Sequence, residues 1–81
     1  MSDTKQPVII YGAEWCPPCH VTKDYLTKHG IEYDYRNIEE NEQYMQEAAE
    51  KSGANAIPVI DINGTIIVGF DRPKIDAALG L

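Results

Sequence analysis

Apolar residues fall along this chain in short runs whose spacing changes from one segment to the next. Val8, Ile9, Ile10 and Tyr11 form a continuous run rich in β-branched side chains, and it stops at Gly12. A run this short, ended by glycine, predicts a buried strand. Pro17 to His29 predicts a helix, with Pro17 suited to its first turn and Gly30 to the position just past its end. Ile31 to Asn37 alternates and contains Tyr33 and Tyr35, which predicts a second strand. From about Glu39 to Ser52, the apolar residues Tyr44, Met45, Ala48 and Ala49 recur at helical spacing. Acidic residues at the front of that segment, Lys51 near its end and Gly53 beyond it suit the helix dipole. Ile57 to Ile62 predicts a third strand and Thr65 to Val68 a fourth, with a type I′ turn at Asn63–Gly64 between them. Asp71 can cap a last helix that buries Ile75, Ala78 and Leu79.

The order β-α-β-α-β-β-α predicts an α/β fold, a four-stranded mixed sheet flanked by helices. The first two strands are joined by a helical crossover and should be parallel and right-handed. The last two should form an antiparallel hairpin. Nothing in the pattern repeats and no linker interrupts it, so residues 1–81 read as a single domain.

Composition adds limits. Hydrophobic content of 43% and charged content of 25% are ordinary for a folded soluble chain. A net charge of −6 argues against nucleic acid and anionic membranes as partners, because phosphate is bound mainly by Lys and Arg. It suits a partner with a basic docking face, or solubility alone. The opening stretch "MSDTKQPVII" has no long apolar run. It predicts neither an export signal nor a membrane span, and a cytoplasmic protein acting as a monomer is expected.

The chemistry concentrates in "EWCPPCH", Glu14 to His20, which holds both cysteines of the chain. Three chemistries use Cys-x-x-Cys spacing: a redox dithiol, half of a zinc site, and, with the following His20, covalent haem attachment. Zinc would need Cys16, Cys19, His20 and His29 together, but His20 points about 100° around the helix from Cys19. Haem attachment normally follows export, which the N-terminus does not predict. The pair sits where a strand hands over to a helix, at the carboxyl end of the strand, where open α/β sheets place their sites. There the pair reads as redox-active, with no tightly bound cofactor and no metal.

Cys16 stands just before the first helical turn, where the helix dipole favours a thiolate. It is the expected nucleophile, and Cys19, one turn further in, the expected resolving thiol. Pro17 and Pro18 lack backbone N–H groups, which leaves the amide of Cys19 as the nearest donor to the Cys16 sulfur. A thiolate with fewer donors favours the disulfide, so the couple is expected to be a reductant. His20 is expected to be a partly exposed residue of the first turn.

Three motifs carry a resemblance over nearly the whole chain. "AEWCPPC" at Ala13–Cys19, "AIPVI" at Ala56–Ile60 and "GFDRPKI" at Gly69–Ile75 together resemble the thioredoxin superfamily. Within it, they resemble the small glutaredoxin-like proteins and NrdH-type redoxins. The resemblance implies the thioredoxin fold and a cis bond between Ile57 and Pro58. It also implies a substrate groove at Trp15, Pro17, Ile57, Pro58, Gly69, Phe70 and Asp71, where the backbone before Pro58 pairs with substrate like an added strand. Protein disulfides are the implied substrates, ribonucleotide reductase among them.

Departures from the pattern narrow the reductant. Thioredoxins carry a buried acid where this chain has Ile10. Glutathione-using glutaredoxins carry a basic residue where Ala13 and Glu14 stand, a Thr where Ala56 stands, and a Gly-Gly turn with acidic groups. Here that turn reads Val68-Gly69-Phe70-Asp71-Arg72, and Arg72 would repel the glutathione amine. A flavoprotein of the thioredoxin reductase type is therefore the expected electron source, with glutathione as the alternative. Trp15 and Phe70 are expected to form an apolar rim for docking it, unless Phe70 is taken into the core. The other reading is a binding module that holds zinc or a glutathione-bridged iron–sulfur cluster through Cys16 and Cys19.

Overall fold

The apolar run at the start of the chain becomes the central strand of the fold. In this computed structural model, which describes residues 8–81, β1 (Val8–Gly12) has a partner on each side. It runs parallel to β2 (Asp34–Asn37), with Ile10 opposite Tyr35. It runs antiparallel to β3 (Val59–Ile62), with Ile10 opposite Ile60. The hairpin partner of β3 is β4 (Thr65–Val68), which gives the order β2-β1-β3-β4. Helix α1 (Pro17–Lys28) carries the chain from β1 to β2, α2 (Glu42–Ser52) from β2 to β3, and α3 (Arg72–Leu79) follows β4.

Alternation along the strands sorts the side chains onto two faces. Val8, Ile10, Ile60, Ile62 and Ile67 pack with Leu26 of α1 and Ile75 of α3. Tyr11 and Val59 point the other way and pack with Ala48 of α2. Two helices therefore cover one face of the sheet and one covers the other, and both faces are apolar because both are buried.

Most ends fall where the caps place them. Asn63 and Gly64 both take positive φ, 51° and 95°, as a type I′ turn requires. Asp71 Oδ1 accepts from the Lys74 amide at the start of α3. Gly30, at φ 70°, follows the end of α1.

Three boundaries differ from the pattern. Ile31 to Tyr33 are not in a strand, because Ile31 N donates to Leu26 O and closes the end of α1 instead. Ile31 and Tyr33 still pack on the core, which is why they alternate with polar neighbours. Helix α2 starts at Glu42 rather than Glu39. Asn37 to Glu40 form a turn in which Asn37 Oδ1 accepts from Glu39 N, and Asn41 then caps the helix through its side chain. Strand β3 starts at Val59, opposite Tyr11, because Pro58 has no N–H to pair and Ile57 turns toward the cysteines. The stripe on α2 also divides: Tyr44 and Ala48 meet the sheet, while Met45 is exposed. The sequence reading of an absent export signal rests largely on residues 1–7, which lie outside the described residues.

Candidate active site

Cys16 is the N-cap of α1. Its backbone is extended, and its sulfur accepts from the Cys19 amide at 3.3 Å. That is the donor expected with prolines at 17 and 18. The Cys16 and Cys19 sulfurs are joined as a disulfide, with Cα atoms 5.3 Å apart. Cys16 keeps 3% of its surface exposed and Cys19 none. The sulfur at the helix start is thus the one nearer to solvent.

The peptide bond between Ile57 and Pro58 is cis. Ile57 packs against Ala13, Cys16 and Cys19. Pro58 is buried, and its carbonyl accepts from Gly69 N at 2.8 Å. Gly69 holds φ at 82° there, a conformation open to glycine. These contacts draw Pro17, Ile57, Pro58, Gly69 and Phe70 together around one apolar groove of about 450 Å³. A second groove, of about 280 Å³, contains Trp15, Ile38, Met45 and Ala48, and it too is lined by Ile57. Among the described residues, no charged side chain lines either groove.

The expected rim is therefore split. Trp15 is 64% exposed and donates from Nε1 to Glu39 Oε2 at 2.8 Å. Phe70 is half-buried, packs on the core and meets the Tyr25 ring edge-on at 5.6 Å. Each lines its own groove, with Ile57 common to both. Phe70 is thus both core and groove wall. Asp71 spends its carboxylate on the α3 cap and on Lys74, and the Arg72 guanidinium lies over the Tyr25 ring at 5.6 Å. His20 Nε2 lies 2.6 Å from the carbonyl oxygen of Glu14, which ties the first turn of α1 to the loop before it. His29 caps the other end of α1, against Tyr25. Among the described residues, no three His, Cys, Asp or Glu side chains gather to hold a metal.

Two residues of the site escaped the sequence reading. Gly12 is buried at the end of β1. A Cβ there would stand 2.8 Å from Cys19 Sγ and 2.7 Å from the Tyr35 hydroxyl oxygen, closer than side chains pack. Tyr35 packs against the Ala13, Cys16 and Cys19 cluster and donates its O–H to Ala13 O at 3.1 Å. Burial, and then the charges of Glu14 and Tyr33, push its phenol above the ordinary value. The Lys23 ammonium lies over its ring at 4.3 Å. The alternation of β2 put Tyr35 on the inner face. Only the missing side chain of Gly12 explains what it reaches. Ile10, opposite Tyr35, is fully buried and apolar.

The pattern of the glutaredoxin family matches residues 8–67. This chain belongs to the glutaredoxin family. Among relatives, this glutaredoxin is 37% identical over 67 residues to a glutaredoxin-like 8.6 kDa protein in the rubredoxin operon of Clostridium pasteurianum, covering 83% of this chain and 89% of that one. It is 33% identical to the glutaredoxin-like protein NrdH of Lactococcus lactis, over 83% of this chain and 90% of that one. Among solved structures, the glutaredoxin of Methanosarcina mazei superposes with a TM-score of 0.83 at 31% identity, covering 95% of this chain and 81% of that one. Glutaredoxin-like proteins are thiol-disulfide oxidoreductases, and the Cys16–Cys19 pair supplies the sulfur chemistry of that activity here.

Proposed function

We propose that this glutaredoxin reduces protein disulfides and is recharged by a flavoprotein of the thioredoxin reductase type rather than by glutathione. The observation that carries the reading is that, among the described residues, the two grooves meeting at Ile57 beside the disulfide are lined without charge. Glutathione presents two carboxylates and an ammonium group, and a site for it gains most from charged partners. Apolar grooves suit the side chains that flank a disulfide in a protein surface. Lys23 lies over the Tyr35 ring and Arg72 over the Tyr25 ring, and neither lines the two grooves.

The steps follow from position. The Cys16 thiolate attacks one sulfur of the target disulfide. That bond breaks, a Cys16–target disulfide forms, and the other target sulfur leaves as a thiolate and takes a proton. Cys19 then loses its proton and attacks Cys16 Sγ. The target leaves with both sulfurs reduced, and the protein holds the Cys16–Cys19 disulfide. The reductase returns two electrons and two protons. Ile57, between the grooves, offers the backbone beside which an extended target segment can lie. The chemistry needs no bound cofactor. The resemblance to NrdH-type redoxins makes ribonucleotide reductase the first target to try.

The test is NADPH oxidation coupled to reduction of a protein disulfide, supplied in parallel by thioredoxin reductase or by glutathione with glutathione reductase. Turnover with the flavoprotein alone is the expected result. Turnover with glutathione alone would overturn the reading.

A further inference from the structure

The resolving sulfur is fully buried, and the polar group standing beside it comes from the neighbouring strand. Cys19 Sγ and the Tyr35 hydroxyl oxygen both lie within 2.8 Å of the point where a Cβ on Gly12 would be. Only glycine at the end of β1 lets the two share that space. The Tyr35 proton is directed to Ala13 O at 3.1 Å, so the lone pairs of its oxygen remain able to accept. Lys23 over the ring and Cys19 beside it belong to successive turns of α1, so the same helix holds both the sulfur and the tyrosine.

We infer that the Tyr35 hydroxyl is the hydrogen-bond partner of the Cys19 sulfur while that sulfur is reduced, and so sets the speed of the resolving step. The inference rests on the reading of Cys16 as nucleophile and Cys19 as resolving thiol. When Cys19 is a thiol, its S–H donates to the Tyr35 oxygen. When the thiol has given its proton to a solvent base, the Tyr35 O–H turns from Ala13 O and donates to the thiolate. That thiolate attacks Cys16 Sγ, the bond from Cys16 to the target breaks, and its electron pair leaves on the target sulfur, which is protonated. Tyr35 stays neutral throughout, in keeping with a phenol held above its ordinary value by burial, Glu14 and Tyr33. Tyr35 is thus a positioning residue. It carries no electrons and forms no bond to the target.

The groups that face the pair are Glu14 from the loop, Cys16 and Lys23 from α1, and Tyr33 from the segment leading into β2. All of them are retained in Tyr35→Phe, which keeps the ring and removes the hydroxyl. Losing a hydrogen bond to a charged group lowers the thiolate fraction of Cys19 by about tenfold at neutral pH. The remaining thiolate is more basic and about threefold more nucleophilic, so the net loss of rate is about threefold. At a pH high enough to ionise Cys19 fully, only the gain in nucleophilicity remains. There the variant resolves about threefold faster than the parent.

The experiment mixes reduced protein with dithiobis(nitrobenzoate) in a stopped-flow instrument across pH. The first burst of coloured thiolate reports attack by Cys16, and the second, unimolecular burst reports attack by Cys19. Tyr35→Phe should leave the first burst unchanged and give a second whose pH profile crosses that of the parent. Gly12→Ala, whose Cβ would stand 2.7 Å from the hydroxyl oxygen and 2.8 Å from the sulfur, should show the same crossing with the ring intact. An equal slowing at every pH, as lost packing would produce, overturns the inference. So does an unchanged second burst in both variants. Cys19→Ser tests the cysteine roles separately, since it must keep the first burst and lose the second. If Cys16→Ser does so instead, the roles are reversed and the inference falls with them.

Discussion

At the scale of single residues, the site turns on which groups can donate to sulfur. Pro18 withholds an amide from Cys16, and the structure leaves the Cys19 amide as its cap donor at 3.3 Å. Pro18→Ala restores an N–H at the second helical position. The expected outcome is a lower Cys16 thiol pKa and a couple more oxidising by about 20 mV, if the new bond contributes about 1 kcal/mol to the thiolate. Equilibration with a thioredoxin couple, followed by acid trapping, measures it. A potential that stays put or becomes more negative would sink the idea. This much was legible in the sequence, because prolines, cysteines and a helix start are local features. The Tyr35 approach was not. It depends on a side chain that Gly12 lacks, facing a residue 23 positions further along the chain, and no local pattern encodes that meeting.

At the scale of elements, α2 is held by a polar chain as well as by apolar contact. Tyr11 O–H donates to Glu47, Lys51 donates both to the Tyr11 oxygen and to Asp61, and Arg36 bridges Glu47 and Asp34. The chain runs across β2, β1 and β3 to one helix. Burial tends to raise the Asp61 carboxyl, but hydrogen bonds from Lys51 and from Gly64 N, with the charges of Lys51 and Arg36, hold it below the ordinary value. A carboxyl depressed on folding stabilises the protein above its unfolded pKa and loses that contribution as pH falls through the folded value. Asp61→Asn should therefore cost about 1 kcal/mol near neutral pH, and nothing once the pH is well below about 4. Melting temperatures of parent and variant should converge on acidification. Parallel curves down to the acid limit would refute the assignment. Sequence pattern found Tyr44 and Ala48 as the apolar face of α2 but placed its start too early. Asn41 was the cap signal, hidden inside a window that already looked helical.

At the scale of the molecule, the carrier is small and acidic, with a net charge of −6 and a radius of gyration of 12.0 Å. Glu14 is exposed beside Trp15 in the sequence, Glu39 accepts from its indole, and Glu40 and Glu42, also exposed, follow Glu39 along the chain. Around an uncharged groove, such a border steers a basic partner and discourages an acidic one. The rate of protein-disulfide reduction by a basic partner should fall severalfold as salt rises from 0.05 to about 0.5 M, since the Debye length shrinks from about 14 to about 4 Å. A rate indifferent to salt would leave solubility as the only role of the charge. The topology was legible in the sequence because each strand and helix carries its own period and stop signal. The antiparallel pairing of β1 with β3 came only from the folded sheet, since it joins segments that α2 separates.

Cys16 Sγ is at once the acceptor that caps α1 and half of the electron pair's resting place. Those two duties are exercised by one atom, so no turnover can occur without changing the group that caps the helix. The amide proton of Cys19 feels that change directly, as a bond to a disulfide sulfur in one state and to a reduced sulfur in the other. Its nuclear magnetic resonance is therefore an internal gauge of oxidation state. With it, the protein's redox poise can be read inside a mixture, without a dye and without stopping the reaction.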